Sequence, residues 1–173
     1  INGSFQETND PYAYILVTNG GTNNTFKNIT IDNAWGGIVF HDHNEDPSNP
    51  YAGNGNNFIN IIVKNARYGV IFSENSSNLG ATINNKFVNC TFYNTEYGIR
   101  AARNNSGNEF INTHFSATNS LFTNHDGFSL NTNTKFENCH FSGNLNPSNT
   151  DSFISSNNIG GDPLFANPNN VIN

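Results

Sequence analysis

A Phe followed two residues later by an Asn recurs five times along these 173 residues: Phe26/Asn28, Phe58/Asn60, Phe87/Asn89, Phe110/Asn112 and Phe136/Asn138. The intervals are 32, 29, 23 and 26 residues. Other positions keep step with the phrase. Two residues before each Phe stands a polar side chain, Asn24, Asn56, Asn85, Asn108 and then Thr134, and five residues after the phrase Asn the first three copies carry Asn33, Asn65 and Asn94. Gly37, Gly69 and Gly98 follow nine residues after it, each leading into an apolar run. Self-similarity at such a period means that each copy is one supersecondary unit, which cannot bury its apolar face alone and must stack on the next.

The local pattern within a copy decides which unit it is. Apolar or small residues alternate after the phrase Asn, as Ile29 and Ile31, Ile61 and Val63, Cys90 and Phe92, Thr113 and Phe115, Cys139 and Phe141. That is the period of a strand with one buried face. No 3.6-residue periodicity supports a helical repeat. Asn tolerates the left-handed backbone of a bend, and its amide can bond the Asn above and below it; Gly is expected to supply the other bend. Asn makes up 38 of the residues, a polarity that would suggest disorder were 15 Phe and many Ile and Val not spread among them. The expectation is an all-β parallel solenoid of about five coils with Asn ladders, the phrase Asn pointing inward.

These phrases resemble those of right-handed parallel β-helix proteins, the pectate-lyase-like superfamily of secreted, carbohydrate-associated proteins. The likeness runs from about Asn24 to Phe165, and Gly160-Gly161-Asp162-Pro163-Leu164-Phe165 looks like a phrase that closes such helices in secreted bacterial proteins. It implies an extracellular or cell-surface location and contact with a polysaccharide. It is nearly silent about reaction. One β-helix domain is expected over 1–173, with 1–23 as an N-terminal cap or first partial coil, 24–165 as repeat coils and 166–173 as a tail. Five coils with no obvious capping helix suggest part of a larger surface protein with further domains.

Charge narrows the partners. Seven Lys+Arg against 13 Asp+Glu give a net charge of -6, which leaves no basic footprint for nucleic acid or an anionic membrane surface. No apolar run reaches the roughly 20 residues of a membrane-spanning helix, so membrane insertion is not expected. Cys90 and Cys139 fall in one inward column with the Thr113 copy between them. Two coils at about 4.8 Å each exceed the reach of a disulfide, so both should be free thiols packed as small hydrophobes. Six Asn-x-Ser/Thr sequons occur, at Asn2, Asn23, Asn28, Asn75, Asn89 and Asn104; an inward Asn28 and Asn89 would make the set an accident of composition.

Outward positions carry the candidate chemistry. After the phrase Asn they are Thr30 and Asp32, Ile62 and Lys64, Thr91 and Tyr93, His114 and Ser116, His140 and Ser142. Lys64, Tyr93 and His114, with Arg100 from the next strip, form the set a lyase would use to bind a uronate and remove its C5 proton. His114 and His140 should be vertical neighbours, and the bland alternative is a row of solvated strand residues. The strip after the Gly column reads Val39, Ile71 and Arg100, then His41, Ser73 and Ala102, then Asp42, Glu74 and Arg103. Arg100 and Arg103 suit a carboxylate or sulfate, although a plain Glu74–Arg103 surface pair accounts for them too.

Trp35, Tyr68 and Tyr97 precede the Gly column in close register and would stack sugar rings, with Arg103 and His140 as further substrate contacts, or simply cover the turn. The loop residues His41, Asp42, His43, Glu45 and Asp46 could hold Ca2+ through oxygens, or a transition metal through imidazoles. They match no defined metal-loop spacing, so no cofactor is certain. The column Lys27, Ile59, Val88, Ile111 and Glu137 is apolar in its middle, as a covered or partner-bound surface would be. Two functions follow, a lyase-like enzyme on an acidic glycan or a non-catalytic glycan-binding, adhesion or structural module. No lyase family's full catalytic pattern is present, and fold does not decide between them.

Overall fold

The computed structural model describes residues 13–18, 21–41, 51–72, 81–101, 105–124, 133–143, 154–156 and 159–160. Among them run seventeen strands: β1 (Ala13–Thr18), β2 (Gly21–Thr22), β3 (Thr25–Asp32), β4 (Gly36–His41), β5 (Tyr51–Asn54), β6 (Asn57–Lys64), β7 (Tyr68–Phe72), β8 (Ala81–Ile83), β9 (Lys86–Val88), β10 (Thr91–Ala101), β11 (Asn105–Ser106), β12 (Glu109–Ile111), β13 (His114–Asn124), β14 (Lys135–Glu137), β15 (His140–Gly143), β16 (Ile154–Ser156) and β17 (Ile159–Gly160). Every pairing between them is parallel and joins one repeat to the next, as in β3 with β6 and β10 with β13. The fold is an all-β parallel solenoid. The short side β2-β5-β8-β11 forms its own four-stranded sheet, so about three complete turns are described rather than the five that the phrase count suggests. The Phe rungs extend further, to β14, where the matching short side lies outside the described residues.

Stacking like on like builds the core. Phe26, Phe58, Phe87, Phe110 and Phe136 form one column, with successive ring centres 5.0, 4.8, 4.5 and 5.1 Å apart and planes within 11° of parallel. Phe92, Phe115 and Phe141 form a second column at 5.0 and 5.6 Å. Each buried ring contributes about 1.5–3 kcal/mol of burial, and the offset contact adds about 0.5–1.5 kcal/mol. Cys90, Thr113 and Cys139 share the expected inward column, all buried, and the two thiols form no disulfide. Their side chains donate to carbonyls of the preceding rung, Cys90 to Phe58, Thr113 to Phe87 and Cys139 to Phe110, at 3.3–3.5 Å.

The Asn columns divide the work differently from the expected arrangement. The inward ladder is Asn56, Asn85 and Asn108, all fully buried. The Asn85 Oδ1 accepts from both the backbone N–H and the side-chain amide of Asn56, at 3.0 and 2.9 Å, and Asn108 does the same for Asn85. Asn28, Asn60, Asn89, Asn112 and Asn138 are exposed instead, with φ of 48° to 57°. They are the bends, left-handed and therefore outward, and Asn60 donates to Asn28 and Asn112 to Asn89 along the surface. The inward argument against the sequons at Asn28 and Asn89 therefore does not hold. Asn33, Asn65 and Asn94 make a third left-handed corner, and Asn23 and Asn84 alternate with Gly55 and Gly107 in a fourth.

The Gly column serves packing rather than bending. Gly37, Gly69 and Gly98 have no left-handed backbone, but a Cβ at Gly69 would stand 2.6 Å from the Gly98 carbonyl oxygen and 2.8 Å from the Phe92 ring. Side chains are excluded because the adjoining rung and the core close on that spot. The strip beyond also differs from expectation. Val39 and Ile71 are completely buried, in a small cluster of their own outside the main core with Tyr68, against which Trp35 and Tyr97 pack.

Candidate functional site

The outward residues after the Asn bend fall into two columns. Lys64 and Tyr93 are in register with each other and with Asp32 above. Lys64 Nζ lies 3.2 Å from Asp32 Oδ2, and Asn65 donates to the other oxygen of the same carboxylate at 2.8 Å. His114 and His140 occupy the adjacent column, in register below Thr91. Their Nδ1 atoms are 2.9 Å apart while the ring centres are 4.9 Å apart, so the nitrogen edges face each other across the rungs. Only one proton fits between them, making one imidazole the donor and the other the acceptor. His114 is 8% exposed, and burial first, then His140, push its pKa down to about 4. It is a neutral imidazole at neutral pH.

Arg100 does not join Lys64 and Tyr93. Its guanidinium lies 5.1 Å from the Tyr68 ring centre and 5.9 Å from that of Trp35, within the range of a cation–π contact. Tyr68 is 7% exposed, stacked on Tyr97 at 5.3 Å, met edge-on by Trp35 at 5.1 Å, and overlain by Arg67 at 5.4 Å. Gly36 stands opposite Tyr68, so Trp35 reaches the row from one residue ahead of the Tyr column. Of the three aromatics foreseen as sugar platforms, Tyr68 is enclosed, while Trp35 and Tyr97 remain half-exposed.

Beside this row, at the Asn33/Asn65/Asn94 corner, opens a cleft of about 320 Å³ lined by Asn33, Asn65, Asn94, Arg67, Glu96 and Thr118, with Ala66 at its floor. Asn94 donates to Asn65 at 2.8 Å. An amide carries two donors and two acceptor lone pairs, so a single chain of ladder bonds leaves capacity for a ligand. Arg67 Nε lies 3.5 Å from Glu96 Oε2, an ion pair too long and misaligned for a good hydrogen bond. Asn119 donates to the Tyr97 hydroxyl at 2.8 Å. Burial first, then Glu96, raise the Tyr97 pKa above its ordinary 10.0, keeping the phenol neutral. Two register shifts between β10 and β13 flank Thr95 at this corner, a place where bulges re-aim side chains.

Two candidate contributions fall elsewhere. Asp42, His43, Glu45, Asp46 and Arg103 lie outside the described residues, and of His41 only the strand backbone, paired with Thr18, is described. Among the described residues no group of three or more His, Cys, Asp or Glu side chains converges as a metal site would. The residues that sequence reasoning missed are Arg67, Glu96, Thr118 and the outward amides. The third Asn column was legible as a corner, but nothing in it marked a cleft. Comparison with family models, curated proteins and solved structures returns no match to this chain.

Proposed function

We propose that this protein is a non-catalytic glycan-binding module, a β-solenoid related to the pectate-lyase-like β-helices and working outside the cell or on its surface. The observation that carries this reading is the open cleft of about 320 Å³. Its lining gathers outward amides and a Thr hydroxyl, and the partly exposed Trp35 and Tyr97 follow within two residues of the lining residues Asn33 and Glu96 along the chain. Hydroxyl-rich rings need this combination of bidirectional hydrogen-bonding groups and aromatic faces. The solenoid repeats the same amide from rung to rung, which suits an extended chain more than a compact ligand.

Catalysis is less well supported. Lys64 is engaged with Asp32, His114 is nearly buried against His140, and Arg100 stands over a different group of side chains. A lyase needs these groups around one sugar carbon. The test is a panel of soluble polysaccharides titrated against the fluorescence of Trp35, the single Trp, with absorbance of unsaturated product followed on each hit. Saturable quenching without product, weakened at least tenfold in Tyr97→Ala, is the expected result. Unsaturated product would make the protein a lyase instead, and a flat response to every polysaccharide would overturn glycan binding.

A further inference from the structure

We infer that the glycan this cleft takes is an uncharged, hydroxyl-rich chain rather than a uronate or a sulfated polymer. The inference rests on the glycan-binding reading above and adds the chemical class. Its first ground is the state of five of the seven cations. Lys64 is paired with Asp32 at 3.2 Å, Arg67 with Glu96 at 3.5 Å, and Lys86 and Lys135 share Glu109 at 3.3 Å each. Asp32 is further held by the Asn65 amide. Arg100 is laid over Tyr68 and Trp35. A polyanion drawing on these side chains would have to displace a carboxylate or an aromatic contact at every step.

The second ground is the lining itself. Three amides provide neutral donors and acceptors, the Thr118 hydroxyl, which donates to the Thr95 carbonyl at 3.2 Å, adds an acceptor, and the one charged pair in the cleft brings its own carboxylate. A uronate seated beside Arg67 would also sit beside Glu96, so attraction and repulsion largely cancel. The whole chain carries a net charge of -6, whose long-range field slows the approach of a polyanion. A neutral chain meets none of these obstacles, and its hydroxyls can both donate to and accept from the amides.

The experiment titrates the full chain with four soluble probes: a neutral β-glucan, a neutral galactan, polygalacturonate and chondroitin sulfate. Each is run at low and at moderate salt, with Trp35 fluorescence as the readout. At least one neutral probe should bind, with a Kd that changes less than about twofold with salt, whereas both anionic probes bind at least tenfold more weakly, because screening matters only where charges meet. Preferential binding of polygalacturonate or chondroitin sulfate, weakening as salt rises, would overturn the inference and leave glycan binding standing. Silence from all four would overturn the reading beneath it. Glu96→Gln should raise affinity for polygalacturonate by roughly fivefold, the value of an exposed charge contact; no gain would show that Glu96 does not exclude anions.

Discussion

The His114–His140 contact makes the stability of the solenoid depend on acid in a defined window. His114 is 8% exposed, and its pKa falls from the ordinary 6.5 to about 4 because burial, and secondarily His140, disfavours the imidazolium. The unfolded chain binds this proton below pH 6.5 and the folded chain only near pH 4. Between the two the unfolded state holds more protons, so stability falls as pH falls through that window and levels off below it. At 1.36 kcal/mol per pH unit, the difference is about 3 kcal/mol, a large part of the margin of a small domain.

The assay is urea unfolding followed by Trp35 fluorescence at pH 7.5 and pH 4, comparing the native chain with His114→Gln, which fills the site with a group that does not titrate. Carboxylates also titrate in this range, but they do so in both proteins, so the difference reports the His114–His140 pair. The native chain should lose about 3 kcal/mol more than the variant. Equal losses would refute the reasoning by showing that His114 takes its proton in the folded state as easily as in the unfolded one.

Other expectations follow from the ladders. Asn85→Ala removes an acceptor that serves two Asn56 donors, and a donor to Asn108 and to the Gly53 carbonyl; orphaning buried groups costs roughly 1–3 kcal/mol each, so chemical denaturation should show a loss of at least about 4 kcal/mol. Gly69→Ala drives a methyl against the Gly98 carbonyl and the Phe92 ring, and overpacking of this kind should cost about 1–3 kcal/mol on the same assay. Burial raises the thiols of Cys90 and Cys139 to about 11, so a thiol reagent at pH 8 should label neither in the folded protein and both in denaturant. Intact mass should correspond to two free thiols.

The sequence carried the fold because a solenoid repeats its contacts at nearly the spacing of its phrases. The Phe column, the inward alternation of Cys90, Thr113 and Cys139, and the vertical His114/His140 neighbours were all readable from register alone. Direction was not. An Asn serves equally as a buried amide rung or as a left-handed corner, and only the backbone decides which. Asn85 has a buried amide, whereas Asn89, four residues later, has φ of 53° and faces water. Gly69 likewise fits a bend or a close approach, and the sequence around it does not tell them apart. The burial of Val39 and Ile71 was hidden for another reason, since it depends on Tyr68, Trp35 and Tyr97 folding back over an outward strip.

Candidate sites in such a fold are best sought where the repetition fails. Along a regular column each side chain meets its own kind or its counter-charge on the next rung, as Asn60 meets Asn28 and Lys86 meets Glu109, and polar capacity is spent on neighbours. At the Asn33/Asn65/Asn94 corner the pattern slips. Gly36 faces Tyr68, the register of β10 and β13 shifts on both sides of Thr95, and Thr118, one residue past the Ala117 that faces Thr95, lines the cleft. Each irregularity breaks the like-on-like stacking of the regular columns. Their convergence around one opening points to this corner more strongly than the regular row of Lys64 and Tyr93, whose charged member already has a carboxylate within ion-pair distance.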